Sequence, residues 1–336
     1  MAFLRTSFCA AVLSASALSA AAEDVNIYSY RQPELIQPLL DAFTTETGIN
    51  TNVVFLSKGL VERLEAEGKR SPADVILTVD ISRLAGAVDA DVLAPVESDV
   101  IAANVPAQYR DPDNRWFGVT TRARIVYASK DRVDPAEITS YEDLADPKWA
   151  GRICTRSGTH VYTLGLVAAM IEHHGEAETK TWLEGVKANL ARKPQGNDRA
   201  QVKAIWAGEC DISLGNNYYF GKMLSDEEQT AWANAVNVTF PEFEGQGTHV
   251  NISGVGLTKS APNRDNAIKL LEFLTSPAAQ EIYAEANFEY PVAPGSTPSD
   301  LVQSWGSFDA DDVNLMTLAG HRATALRLVE EVNFDG

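Results

Sequence analysis

Cysteine is scarce: three residues in 336, with no CxxC pair among them. That absence argues against a thiol-exchange site, which works through such a pair. The chain also lacks GxSxG, HExxH and a P-loop, and Gly254-Val255-Gly256 stands without the rest of a dinucleotide fingerprint. These gaps count against hydrolase, zinc-protease and nucleotide-binding chemistry. Histidine occurs only five times. Positive charge is also short, with 28 basic residues against 46 acidic ones and a formal net charge of −18. So acidic a chain is a poor partner for nucleic acid or anionic membranes. No internal repeat or low-complexity linker occurs, and beyond residue 22 no apolar run is long enough for a spanning helix.

What is present begins with an export signal. Arg5 supplies the positive start, residues 8–18 a short apolar run, and Ala20-Ala21-Ala22 a small-residue cleavage site. Cleavage near Ala22 is therefore expected, with residue 23 first in the mature chain. Cys9 lies too early for a lipid-anchor site. Taking 22 residues from 336 leaves 314, enough for roughly two ordinary domains. Hydrophobic residues make up 45% of the chain, the share of a packed globular protein. The two remaining cysteines, Cys154 and Cys210, would meet an oxidising compartment, where a disulfide between them is expected.

Periodicity predicts an α/β fold. Residues 25–30 alternate like a strand, and Pro33 is expected to open a helix with Leu35, Ile36, Leu39, Leu40 and Phe43 on one face, ended by Gly48. A strand at 51–56, a helix around Leu60–Leu64 closed by Gly68, and the apolar run 73–79 continue the alternation, which predicts a largely parallel sheet. Residues 116–129, with Arg122 and Arg124, form a strand long enough to cross into a second lobe. Residues 249–258 form another that crosses back. Between them lie strands at 151–156, 211–214 and 236–240, and helices at 161–174, 177–190 and from 218. Helices at 263–275, after Ser276-Pro277, and at 311–332 follow. Two lobes joined by two crossings enclose a hinged cleft.

Candidate chemistry gathers at strand-to-helix junctions, where α/β folds build ligand sites. Tyr162 follows the Cys154 strand. Tyr218 and Tyr219 follow the strand ending at Leu214. Ser29-Tyr30-Arg31-Gln32 follows the first strand. Taken singly, a tyrosine is more often a packing residue with a wet hydroxyl. His173-His174, beside Gly175, read as a solvated helix C-terminus, where His suits the helix dipole.

The segments 26–32 (NIYSYRQ), 71–80 (SPADVILTVD), 116–124 (WFGVTTRAR), 195–198 (QGND), 216–221 (NNYYFG) and 247–256 (GTHVNISGVG), with Ala261-Pro262-Asn263-Arg264, change those odds. In them the whole mature chain resembles the periplasmic ferric-iron-binding proteins of ABC importers, within the type 2 periplasmic binding proteins. The resemblance implies two α/β lobes around a hinge, here 23–121 with 252–305 and 122–251 with 306–336. It implies a monomer that binds Fe(III) in the periplasm and delivers it to an inner-membrane ABC permease, without being an enzyme. The family's ligand tyrosines match Tyr162, Tyr218 and Tyr219. Some members add a His and a Tyr in an Arg-His-Tyr first loop. Arg31-Gln32-Pro33 stands there instead, which places this chain with members that use three tyrosines and an anion such as carbonate. The matching anion-holding positions are Arg31 and Arg122, with Gln32 adding a hydrogen bond. Arg124 is an alternative to Arg122, and the direction of Tyr30 stays open.

Chemistry supports the pattern independently. Ferric iron is a hard cation that prefers oxygen donors. Three phenolates and a carbonate carry five formal negative charges; iron offsets three, and Arg31 with Arg122 the other two. The arginine fork suits a planar oxyanion. An organic cargo, such as a polyamine, thiamine or a small anion, would suit the same aromatic and basic cleft. A secreted hydrolase and an extracytoplasmic sensor domain are alternatives of a different class.

Overall fold

The computed structural model of the chain describes residues 24–336. The export signal read in residues 1–22 lies outside them. Among the described residues no helix is long and apolar enough to cross a membrane.

The strands are β1 (Val25–Ser29), β2 (Thr51–Phe55), β3 (Val75–Thr78), β4 (Leu93–Ala94) and β5 (Phe117–Ser129). They continue as β6 (Ile153–Cys154), β7 (Ile212–Asn216), β8 (Val236–Thr239), β9 (Val250–Thr258) and β10 (Tyr290–Pro291). The helices in the first part are α1 (Gln37–Thr47), α2 (Leu60–Glu67), α3 (Ile81–Asp89) and α4 (Asp99–Asn104). Then come α5 (Val161–Ala188), α6 (Asp198–Trp206), α7 (Asn217–Leu224) and α8 (Thr230–Asn234). The last are α9 (Arg264–Leu274), α10 (Pro277–Asn287), α11 (Asp300–Gln303), α12 (Leu315–Gly320) and α13 (Arg322–Glu331).

The principal strand order is β2-β1-β3-β9-β5-β7-β6. Strands β1, β2 and β3 pair in parallel, as their alternation with helices requires. The sheet as a whole is mixed, not largely parallel. β9 returns antiparallel between β3 and β5. β5 in turn runs antiparallel to β7 and β8. Both long strands stand where the sequence placed them, but their direction is fixed by the long connections that bring them back. All thirteen residues of β5 and all nine of β9 are buried. Up to Ala123, β5 pairs with β9; from Arg124 onward it pairs with β7 and β8. One continuous strand therefore belongs to both halves of the molecule, and a site between them hangs on its midpoint. α12 packs on both α3 and α5, and α13 packs on α5.

Local rules explain most boundaries. Asp80 caps α3 by accepting from Ser82 N at 2.8 Å, Asn197 caps α6 through Ala200 N at 3.0 Å, and Ser276 caps α10 with Pro277 in its first turn. Gly48 ends α1 in the left-handed conformation, with φ 71°. Pro33 opens only a short 3₁₀ turn, Pro33–Leu35; α1 proper starts at Gln37, with Pro38 in its first turn. The helices expected at 161–174 and 177–190 are one element, α5, broken in backbone geometry only at Gly175 (φ 80°, ψ 173°). The helix expected over 311–332 is two, because Asn314 caps α12 at Leu315 and the weak helix former Gly320 ends it. His173 and His174 are not a solvated end. His173 Nε2 lies 2.9 Å from Asp311 and His174 Nε2 lies 2.6 Å from Glu142, both rings half-buried in front of the Gly175 kink.

Cys154 and Cys210 are joined in a disulfide, with Cα atoms 5.8 Å apart. It closes a loop of 56 residues next to the β6–β7 pair. In the chain-entropy account such a loop stabilises by about 2–4 kcal/mol. Replacing both cysteines by Ala is expected to lower the unfolding free energy from urea titration by that amount, seen as a lower midpoint, and reducing agent should then shift wild type but not the variant. Equal midpoints for the oxidised wild type and the double variant would refute the contribution.

Candidate metal centre

Strand β7 ends at Asn216 and α7 begins at Asn217, so Tyr218 and Tyr219 stand in the first turn of a helix at a strand's C-terminal end. Tyr162 stands in the first turn of α5, just beyond β6, which pairs with β7 in parallel. Two adjacent parallel strands thus deliver three phenols to one place. The hydroxyls of Tyr162 and Tyr218 are 3.1 Å apart. The rings of Tyr218 and Tyr219 lie 4.2 Å apart, centroid to centroid. Among the described residues no group of three His, Cys, Asp or Glu is placed to hold a metal, so the oxygen donors that converge are phenols.

Burial pushes the Tyr218 phenol well above its ordinary range; the neighbouring phenols Tyr162 and Tyr219 add to the rise, and Arg122 opposes it. Tyr219 is raised by burial, then by Tyr162 and Asp198, while a hydrogen bond with Tyr218 and the charge of Arg156 pull the other way. His160 caps α5, its Nδ1 accepting from Tyr162 N at 3.1 Å. Burial, reinforced by Arg156, holds its imidazole down to about 4, so it is neutral at pH 7 and free to accept.

The arginines divide into two groups. Arg122, 2% exposed, donates to Ser253 Oγ at 3.2 Å and to the carbonyl of Val79, and among the described residues its Nε has no partner. Arg31 donates from Nε to Tyr283 Oη at 2.9 Å, and from Nη2 to Ser253 Oγ at 3.0 Å and to Glu289 Oε1 at 2.6 Å. The two guanidinium groups share Ser253 and face the tyrosines from β5 and from the loop after β1. Arg124 belongs to the other group. It donates to Asp198 at 2.8 Å and to Asn216 Oδ1 at 3.2 Å, while Arg156 reaches Asp198 at 2.9 Å and lies over the Tyr162 ring at 4.9 Å. Arg124 therefore braces the tyrosine-bearing elements and does not duplicate Arg122.

Two residues of the first loop stand apart. Gln32 is exposed, and among the described residues its side chain makes no hydrogen bond. Tyr30 accepts from Leu60 N at 3.0 Å and carries Arg83 over its ring at 3.9 Å, so its hydroxyl is engaged at the start of α2.

Sequence reasoning missed the partners of these groups. Glu289 is fully buried and accepts from Arg31, Thr120 and Ser253. Asn217 accepts from Ala123 N at 2.9 Å and donates to the Phe288 carbonyl at 2.8 Å, tying α7 to the segment that carries Glu289. A Cβ at Gly221 would come within 2.4 Å of the Phe288 ring, so α7 rests on Phe288 only because that position has no side chain. No local pattern marks Glu289. Asp198 lay in the QGND segment, where a carboxylate before a buried helix was its one signal.

Residues 70–307 match the family described as bacterial extracellular solute-binding protein. The chain is 44% identical over 315 residues to iron uptake protein A1 of Synechocystis, covering 93% of this chain and 88% of that one. It superposes with a TM-score of 0.90 on the open conformation of Mannheimia haemolytica ferric iron-binding protein A, at 53% identity, covering 94% of this chain and all of that chain. Trichodesmium IdiA (FutA), solved in complex with iron and citrate ligands, gives 0.89 at 42% identity, covering 93% of this chain and 99% of that one.

Proposed function

Because the chain belongs to the bacterial extracellular solute-binding proteins, in their ferric-iron-binding branch, we propose that it captures ferric iron through Tyr162, Tyr218 and Tyr219 and passes it to an ABC permease. The observation that carries this is the convergence of three phenol oxygens beside Arg122, with two hydroxyls 3.1 Å apart. Phenolate is a hard oxygen donor matched to a small trivalent cation, and the cation in turn favours the deprotonated phenol. Once ionised, three phenolates offset the iron's charge, and burial becomes tolerable.

Arg31 and Arg122 hold a small anion that completes the metal's shell; carbonate is the ligand first expected. Both are buried, both donate to Ser253, and the Arg122 Nε proton has no protein partner. Closure brings the β1–β3 half, with Arg31, onto the β6–β7 half, with the tyrosines. The lobes are 23–121 with 252–305, and 122–251 with 306–336. The chain works as a monomeric binder and carrier in the periplasm, not as an enzyme, after its export signal is removed near Ala22.

A visible absorption titration of the iron-stripped mature protein with ferric citrate tests this, run with and without bicarbonate. The expected result is a phenolate-to-iron charge-transfer band that saturates at a single equivalent and strengthens with bicarbonate. A folded protein that develops no band would overturn the iron reading in favour of an organic cargo.

A further inference from the structure

Among the described residues Asp198 has no hydrogen bond to any of the three phenols, yet it is bound to both segments that deliver them. Its side chain is fully buried at the first residue of α6. Oδ1 accepts from Arg156 Nη1 at 2.9 Å. Oδ2 accepts from Arg124 Nη1 at 2.8 Å and from Asn216 N at 3.0 Å. The three donors come from β5, from the loop after β6 and from the last residue of β7. Charge compensation alone would account for the two arginines. It does not account for what the other ends of these contacts hold.

Asn216 is the residue from which α7 starts, two positions before Tyr218. Asp198 holds its N–H, the Tyr127 hydroxyl donates to its carbonyl at 2.7 Å, and Arg124 Nη1 reaches its Oδ1 at 3.2 Å. The backbone that launches Tyr218 and Tyr219 is thus gripped from both edges. Arg156 serves the third phenol by a different contact. Its guanidinium lies 4.9 Å from the centroid of the Tyr162 ring, and Asp198 fixes it there. One carboxylate therefore joins the β6–α5 junction, which carries Tyr162, to the β7–α7 junction, which carries the other two. Arg124 is where β5 begins to pair with β7, so the whole brace lies within the tyrosine half. It does not depend on closure, and the phenols are spaced before the metal arrives.

We propose that Asp198 is a positioning residue of the metal site: through Arg156 and the Asn216 backbone it sets the spacing of the three phenol oxygens around one small cation. The proposal rests on the tyrosine–iron reading above. Asp198 acts through its partners and does not itself ligate the metal.

Asp198→Asn keeps the shape but turns one acceptor oxygen into a donor, so one arm of the brace must let go. Arg156→Lys keeps the charge and loses the planar group over Tyr162, an exchange that is not conservative at a stacked, paired site. Each is made alone and together with Tyr162→Phe, and ferric affinity is read by the visible band in competition with citrate. Loss of an outer-shell support costs roughly 10–100-fold in metal affinity. Asp198→Asn is expected to fall in that range and to change the band's intensity per bound iron, because the phenolates no longer meet the metal at the same angles. Arg156→Lys is expected to lose about tenfold alone and nothing further on top of Tyr162→Phe, since its effect passes through that ring. Asp198→Asn keeps part of its effect in that background, through Tyr218 and Tyr219. A residue that only compensates buried charge would lower the melting temperature of the iron-free protein and leave the affinity and band of the folded variant at wild type. That outcome, or full additivity of Arg156→Lys with Tyr162→Phe, would overturn the proposal while leaving the iron site standing. If Asp198→Asn loses its native circular dichroism, the Arg156→Lys cycle decides alone. Absence of any band in wild type would instead remove the iron reading itself.

Discussion

Tyr219→Phe is expected to lower ferric affinity by at least about a hundredfold and to leave the fold in place. Loss of an outer-shell partner already weakens metal sites by roughly 10–100-fold, and this change deletes a ligand oxygen outright. The ring that packs against Tyr218, tilted and 4.2 Å away between centroids, is retained, so packing is conserved. The deleted hydroxyl gives up its hydrogen bond with Tyr218, and stability should stay within about 1 kcal/mol of wild type. Charge adds to the loss. With two phenolates the iron site carries an extra positive charge beside Arg122 and Arg156, where burial makes it costly. Competition against citrate, read by the visible band and by iron retained after desalting, gives the affinity. Retention equal to wild type would mean that Tyr219 is a packing residue.

Tyr162→Phe breaks a different contact, the 3.1 Å hydroxyl pair with Tyr218, 56 positions away. That contrast shows where sequence reasoning reaches its limit. Local periodicity placed the tyrosines at strand-to-helix junctions, but only the family resemblance raised them above packing residues. β5 and β9 were legible as long strand-like stretches, β5 with Arg122 and Arg124 within it. The Cys154–Cys210 bond followed from the count of cysteines left in an exported chain. What remained hidden is the set of residues that face these groups from far along the chain. Arg31 meets Glu289 across 258 positions, and Arg124 meets Asp198 across 74. No spacing rule predicts such pairs; they exist because β5 and β9 bring both halves together. The histidines failed for a related reason. His173 and His174 were read against the neighbouring Gly175, whereas their rings are held by Asp311 and Glu142, far along the chain.

Acidification is expected to weaken ferric binding steeply, by about a hundredfold per pH unit around neutrality, from Tyr218 and Tyr219 alone. The sign follows from the direction of their shifts. Burial raises both phenols above their ordinary range, so each carries its proton in the iron-free protein at every physiological pH. Iron accepts only the phenolate, so each must lose a proton on binding. Mass action then gives about one factor of ten per proton for each unit of pH. Binding is favoured as pH rises and lost as it falls. His160, held neutral down to about 4, adds no compensating uptake above that value. The check is ferric affinity between pH 6 and 8 against a chelator of known protonation, with direct measurement of protons released in weakly buffered solution. A slope below tenfold per unit, or release of fewer than one proton, would be incompatible with two phenolate ligands. The same burial that makes capture demand proton loss also favours release. When the halves part and water reaches the site, any proton that returns to Tyr218 finds a phenol whose neutral form the protein already prefers. With these tyrosines as ligands, opening and reprotonation would push in one direction.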